Sequence, residues 1–193
     1  PARGLSSALS RREMMQTTKA HVLRCVMPLK GLQLSIARRA GDMRVFHFGR
    51  VTVTEKGSVG EFALHIQCAW RIEGPEGIVT GRSDLWEPTD AIGERDWDKW
   101  DYVTHGNVQD QRLNTLLGSY DPRTGSSVNT SGFLSVSELE ADDLGGITVS
   151  LSGGYRLVVF PAGSTGEDWG LLQFPETQHL VVAGGTVTES TAG

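Results

Sequence analysis

The sequence holds few of the residues on which recognisable site chemistry usually depends. It has two cysteines among 193 residues, too few for a disulfide framework, and this predicts a reducing, cytoplasmic setting. The histidines are scattered without the spacing of metal ligands: His21, His47, His65, His105 and His179. From these two shortages we expect neither a metal site nor a cofactor.

Catalytic and nucleotide-binding motifs are missing as well. The chain contains no Walker loop and no G-x-G-x-x-G, G-x-S-x-G, C-x-x-C or H-E-x-x-H motif. No catalytic residue is therefore predicted, and an enzyme is the less favoured interpretation, although a site assembled from distant segments would leave no such motif. No run of about 18 apolar residues occurs, so no membrane-spanning segment is expected.

Charge is present but unevenly divided along the chain. Residues 1–50 hold ten Lys/Arg and two Asp/Glu, a net of +8, whereas residues 51–193 hold eight and twenty-one, a net of −13. Such a division indicates either an arm for an anionic partner or a basic segment docked on an acidic body. Nucleic acid is not favoured, because the body is acidic and the basic residues lack an aromatic platform. The expected partner is another protein or a second copy of this chain.

The strongest structural pattern lies in Glu61–Glu87, where apolar and polar residues alternate. The pattern predicts two strands joined by a four-residue turn at 74–77, with Glu73 opposite Ile78. This register keeps the apolar residues on one face and gathers a polar set on the other. The polar set, our candidate binding surface, is His65, Gln67, Arg71, Arg82, Asp84 and Trp86. We weigh two interpretations of it: a solvated sheet face, or a binding face with a histidine beside a carboxylate.

A second hairpin is predicted over Leu32–Phe48, with a three-residue turn. It gathers Arg38, Arg39 and Arg44 near its tip. These arginines are either a solvated hairpin tip or an anion-binding site. His47 faces away from the phenylalanines of its strand and is expected to be half-exposed.

Two helical segments follow. Asn107–Gly118 has an N-capping asparagine, a leucine stripe and a C-terminal glycine, which together predict the main helix. Residues 84–101 hold seven Asp/Glu against two basic residues, with Trp97 and Trp100 spaced three apart. We expect a short acidic helix there whose tryptophans cap the core, and an aromatic, acidic surface could also bind a basic partner.

These elements predict an α+β fold of mostly antiparallel strands with one main helix. The strands form one curved sheet or a partly open barrel, and a β-sandwich is the alternative. Residues 1–27 are expected to be a peripheral basic extension, 28–185 a single β-rich domain and 186–193 a tail. Similar motifs in 31–72 and 146–183 suggest two related halves.

Three motifs, GDMRVFHFG, GEFALHIQCAWRIE and GRSDLW, resemble those of a family of uncharacterised bacterial proteins of similar length. The resemblance runs from about Gly31 to Ala183 and implies a compact bacterial domain without a known activity. We expect a non-catalytic binding or interaction module of immunity or accessory type. The alternative is a small-molecule binder or enzyme that uses the polar face of the 61–87 hairpin.

Overall fold

Antiparallel strands dominate the structure, a computed structural model. An eight-stranded sheet and a five-stranded sheet contain most of the strands, and a two-stranded hairpin stands apart. The predicted α+β class, with mostly antiparallel strands and one main helix, is confirmed. The structure describes residues 18–55, 57–89, 97–121, 124–175 and 178–191.

The elements are numbered in chain order. The large sheet runs, in spatial order, β15 (Thr186–Thr191), β14 (Gln178–Ala183), β13 (Glu167–Gln173), β5 (Phe62–Ile66), β2 (Met43–Phe48), β1 (Leu34–Ala40), β9 (Ser126–Val128) and β8 (Tyr120–Asp121). The small sheet runs β10 (Val136–Ala141), β11 (Ile147–Leu151), β12 (Tyr155–Phe160), β6 (Ala69–Gly74) and β7 (Gly77–Gly81). The separate hairpin comprises β3 (Thr52–Thr54) and β4 (Gly57–Val59). The helices are α1 (residues 18–26) and α2 (Val108–Leu117), with 3-10 turns at Met27–Leu29, Arg82–Trp86, Trp97–Lys99 and Ser152–Gly154.

The two sheets share one hydrophobic core. Phe46 of the large sheet meets Trp70 of the small sheet edge to face, with ring centroids 5.2 Å apart. The buried indole of Trp169 donates a hydrogen bond to the carbonyl of Gly145, 2.8 Å away, in the β10–β11 connection. The strands therefore form a sandwich, the alternative that the pattern had allowed, rather than one curved sheet.

The first strand of the central hairpin changes sheet half-way along. Strand β5 belongs to the large sheet and β6 to the small one, and the chain crosses at Gln67 and Cys68. Both of these residues donate their N–H groups to the carbonyl oxygen of Asp168, at 2.9 and 3.0 Å. The alternation of apolar residues does not reveal the crossing, because both sheets face the same core and the inward positions keep the same period.

The carboxylate of Asp168 organises the same region. It is 3% exposed and accepts N–H groups from Ala162, Gly163 and Gly184 at 3.1 to 3.2 Å. One residue thus ties the sheet crossing to two loops that are distant in sequence.

The predicted register of the central hairpin is confirmed only beside its turn. Glu73 does pair with Ile78, but a shift then places Ile72 opposite Thr80, and pairing ends at Gly81. The extra residue, Val79, lets Thr80 turn inward, where it is fully buried and donates to the carboxylate of Asp84 at 2.8 Å. Arg82–Trp86 is a 3-10 turn and not a strand, so the predicted polar face is not continuous.

Helix α1 packs into the core and corrects the expectation of a peripheral segment up to residue 27. Val22, Val26 and Leu29 are fully buried. The spacing of four residues places Val22 and Val26 on one face of α1, and Leu29 belongs to the 3-10 turn that follows. Residues 186–191 are likewise an edge strand paired with β14 and not a tail. Residues 1–17, 192 and 193 lie outside the described ranges.

Helix α2 confirms the prediction for the main helix. The side chain of Asn107 accepts the N–H of Asp110 at 2.8 Å, and Gly118 ends the helix with a φ of 111°. Leu113 and Leu117 are buried, as the leucine stripe predicted. Within the described ranges, no helix is long and apolar enough to cross a membrane.

The two segments with similar motifs occupy different positions. Their first hairpins, β1–β2 and β11–β12, lie in different sheets, although the strands that follow, β5 and β13, pair with each other. Duplication of an ancestral half stays a prediction.

Candidate functional site

The six residues predicted to share a polar face are dispersed by the change of sheet. His65 pairs with Val45 and Gly170 in the large sheet instead of lying opposite Trp86. Burial, together with the nearby His179, lowers the pKa of His65. His65 therefore does not lie beside the carboxylate of Asp84. That carboxylate instead accepts the N–H of Gly81 and the hydroxyl of Thr80.

Of the remaining predicted residues, Arg82 and Gln67 do come together. The guanidinium of Arg82 donates to the backbone carbonyl of Gln67 and pairs with Asp42 at 2.9 Å. Arg71 pairs with Glu73 at 2.7 Å and stacks over the ring of Phe160, with 4.7 Å from Cζ to the centroid. The guanidinium groups of Arg71 and Arg82 are thus engaged by partners within the protein. Trp86 remains as the predicted residue with a large exposed apolar side chain.

Two of the three arginines predicted at the tip of the first hairpin, Arg39 and Arg44, have buried side chains, which corrects both interpretations for these two. Arg38 is half-buried, and its guanidinium donates to the carbonyl of Ser58 at 3.4 Å. The turn has two residues, because Ala40 pairs with Met43. The side chains of Arg39 and Arg44 are 7% and 1% exposed, and both bind Asp110 of α2, at 2.9 and 2.8 Å. The anion that these arginines bind is thus a carboxylate of the protein itself.

This buried network also holds the start of α2. Asp110 additionally accepts the side-chain amide of Asn107 at 3.0 Å and the hydroxyl of Tyr120 at 3.1 Å. Burial opposes the charged form, but Arg44 and Arg39 hold the pKa of Asp110 below its usual value. Burial lowers the pKa of Arg44 to about 10, so both partners stay charged at neutral pH. Arg39 and Arg44, two basic residues of 1–50, are thus paired with a carboxylate of the acidic part of the chain.

We group two aromatic pairs and a neighbouring valine as an aromatic surface, and Tyr102 of one pair contacts Arg39 of this network. We define the surface by Trp86, Trp97, Trp100, Tyr102 and Val103. Trp86 meets Tyr102 edge to face at 5.0 Å between centroids, and Trp97 meets Trp100 at 6.3 Å. Trp86, Trp97 and Val103 are 49%, 58% and 52% exposed. Trp97 therefore does not cap the core as predicted. In the described parts of 84–101, which leave out 90–96, the expected acidic helix is replaced by the end of the 3-10 turn Arg82–Trp86 and by the 3-10 turn Trp97–Lys99.

A third location was missed by the sequence analysis. His21 and Cys25 lie one turn apart on α1 and face Glu189 of β15. The donor atoms of these three side chains all lie within 4.8 Å of one another, a set that could hold a metal ion. A cavity of about 250 Å³ adjoins Cys25 and Glu189. It is lined by the apolar residues Phe62, Leu171 and Leu180, among others, and by Arg24 and Gln173. The spacing His-x-x-x-Cys was the available signal, because residues four apart lie on one face of a helix.

The chemistry of this cluster is set by one carboxylate oxygen. Oε1 of Glu189 accepts the thiol of Cys25 at 3.3 Å and the guanidinium of Arg24 at 3.2 Å, and it also contacts Nε2 of His21. Burial and the hydrogen bond to Glu189 raise the pKa of Cys25 to about 11. The thiol is therefore protonated at neutral pH and is not activated as a nucleophile.

Comparison with known proteins adds no relative. No protein-family model, no curated protein and no solved structure matches the chain. The candidate sites are therefore weighed on their own geometry.

Proposed function

We propose that the protein is a non-catalytic interaction module that binds a basic protein through its aromatic surface. One observation carries the proposal: two tryptophans, Trp86 and Trp97, stand about half-exposed in a strongly acidic segment. Tryptophan and tyrosine dominate the binding energy of protein interfaces, because they bury a large area at a low cost in conformational entropy. Exposed tryptophans in such a cluster are unusual on a face with no binding role.

The base of the aromatic surface is rigid, which supports a role in recognition. The guanidinium of Arg39 lies 5.4 Å from the ring centroid of Tyr102 and is itself fixed by Asp110. The side chain of Asn107 donates to the carbonyl of Tyr102 at 3.0 Å, and the N–H of Val108 donates to the carbonyl of Glu87 at 2.8 Å. Pre-ordered side chains lose little freedom on binding, so more of the contact energy contributes to affinity.

The charge of the segment indicates the kind of partner. Residues 84–101 hold seven Asp/Glu against two basic residues, within a body whose net charge over 51–193 is −13. A segment of this charge attracts proteins with exposed Lys and Arg and speeds their association. An immunity-type or accessory role in a bacterial cytoplasm, where an acidic module covers a basic partner, suits these features.

The test compares capture by the wild-type chain and by a variant carrying Trp86→Ala and Trp97→Ala. A matched control carries Val53→Ala and Ile78→Ala, whose side chains are 81% and 70% exposed but lie outside the aromatic surface. Proteins from a lysate of the source organism are quantified on each bait, and the leading partner is then purified. Each tryptophan change should weaken binary binding about 30-fold or more, equivalent to about 2 kcal/mol.

The control variant should bind as the wild type does, and affinity should fall as salt rises from about 50 to 500 mM. Equal capture by the wild type and the tryptophan variant, or a salt-independent interaction, would show that the aromatic surface is not the interface.

The alternative of a small-molecule binder or enzyme on the 61–87 face receives less support. It depended on His65 and Asp84 sharing one face. His65 lies in the large sheet, whereas Asp84 lies in the 3-10 turn Arg82–Trp86.

A further inference from the structure

The cluster of His21, Cys25 and Glu189 is formed by parts of the chain that are far apart in sequence. Helix α1 presents His21 and Cys25, and the edge strand β15 presents Glu189, more than 160 residues later. Glu189 pairs across the sheet with Leu180, which is 3% exposed, so the carboxylate stands on the face that packs inward. Its neighbour on that face, Val187, packs on the core. The Glu189 side chain is 32% exposed, so it lies at the rim of this face, where His21 and Cys25 reach it.

We infer that His21, Cys25 and Glu189 bind one Zn²⁺ ion, with an exchangeable fourth ligand that enters from the adjoining cavity. Zinc takes nitrogen, sulfur and oxygen donors in tetrahedral geometry, at about 2.0–2.3 Å from the ion. Donors at these distances are roughly 3.3–3.8 Å from one another. The three side chains, whose donor atoms lie within 4.8 Å, reach that arrangement by small rotations.

The donor set selects zinc among the common divalent ions. Mg²⁺ and Ca²⁺ take oxygen ligands almost alone, whereas a thiolate and an imidazole favour zinc and related transition metals. The charges also balance, because a thiolate and a carboxylate together neutralise the ion while the imidazole stays neutral. When the S–Zn bond forms, the thiol of Cys25 releases its proton to solvent.

Arg24 is a neighbour that opposes the ion. Its guanidinium lies 3.2 Å from Oε1 of Glu189. The side chain is 70% exposed, so it can turn into solvent and give up an ion pair that is worth little in water. The side chains of His21 and Glu189 are only 24% and 32% exposed and remain in place.

An accessible coordination position follows from the cavity. Cys25 and Glu189 both line this space of about 250 Å³, which is large enough for water or a small anion. With three protein ligands and one exchangeable ligand, the site has the composition of an open zinc site and not of a closed structural one. None of its residues belongs to the aromatic surface, so failure of either proposal leaves the other standing.

The test uses tag-free full-length protein, freed of metal with a chelator and titrated with Zn²⁺ against a chromophoric competitor. One ion should bind per chain, with release of about one proton. His21→Asn, Cys25→Ala and Glu189→Gln should each lower the affinity at least tenfold, because even the loss of an outer-shell partner costs 10–100-fold. Cys68→Ala and His105→Asn are the matched controls and should leave the affinity unchanged.

Co²⁺ provides a readout that a purely structural role would not affect. Bound cobalt should show a thiolate charge-transfer band that disappears in Cys25→Ala and persists in Cys68→Ala. Thermal melts in the presence of chelator identify any variant that fails to fold. If His21→Asn or Cys25→Ala fails to fold, the Zn²⁺ affinity of Glu189→Gln tests the inference, because this residue lies on an edge strand. The inference would be overturned if the wild type did not bind one ion per chain, or if the three ligand variants bound Zn²⁺ as tightly as the wild type does. Loss of the band in Cys68→Ala would also overturn it.

Discussion

Removal of the charge on Asp110 should unfold this protein more effectively than most single changes. In Asp110→Asn the side chain keeps its size, but Arg39 and Arg44 lose the carboxylate that both of them bind at 2.8 to 2.9 Å. The arginine side chains are only 7% and 1% exposed, so water cannot replace the lost partner. Breaking a buried ion pair by removing one member costs about 3–5 kcal/mol, and we expect a loss of that size.

The free energy of unfolding is measured by urea titration at pH 7, with circular dichroism as the probe. The matched control is Asp42→Asn, because Asp42 pairs with Arg82 at the same 2.9 Å but is 56% exposed, and its loss should cost less than about 1 kcal/mol. The difference between the wild type and Asp110→Asn should shrink as the pH falls below about 4. A carboxylate whose pKa is lowered by folding stabilises the protein above its unfolded pKa and loses that effect as it is protonated. Similar losses in the two variants would refute the argument from burial.

Two further changes test the large sheet. Burial lowers the pKa of His47, which is 2% exposed, to about 4, so only the unfolded chain takes up a proton at pH 5. The free energy of unfolding of the wild type, measured by urea titration, should therefore fall by about 2 kcal/mol between pH 7 and pH 5. His47→Gln should not show a fall of this size, and equal falls in the two proteins would contradict the assignment. Gly60→Ala should lower the unfolding free energy by about 1–3 kcal/mol, because the added Cβ would lie 2.7 Å from the carbonyl oxygen of Phe48. Gly166→Ala, which has open space, should leave the melting temperature unchanged, and equal melting of the two variants would argue against the clash.

Features specified by neighbouring residues were predictable from the sequence. Helix α2 was bounded within a residue, because Asn107 and Gly118 supply its caps through contacts inside the segment itself. The turn at 74–77 was likewise placed by its own glycines and proline, and with it the pairing of Glu73 and Ile78.

Features that depend on distant partners were not predictable. Arg44 was predicted to lie at a hairpin tip, and its burial was not predicted. Its partner Asp110 lies 66 positions away, and charge alone does not indicate burial. The same holds for His21 and Glu189, which are 168 positions apart. The predicted pairing of strand residues was wrong beyond the turns, because the position of a bulge depends on which side chain fits into the core. His47 was expected to be half-exposed and is buried, and its Nδ1 accepts the N–H of Gly60, a contact that the strand pattern does not reveal.

The sheet crossing at Gln67 and Cys68 has a consequence for synthesis on the ribosome. The carbonyl that receives both N–H groups belongs to Asp168, about one hundred residues later in the chain. At translation rates of about 5–20 residues per second, the middle of the chain waits roughly 5–20 seconds for this acceptor. During that interval strands β5 and β6 lack their neighbours β13 and β12, and their apolar residues are accessible to chaperones and proteases. Nascent chains arrested before residue 168 should therefore be digested readily, and resistance should appear only once β13 has left the ribosome.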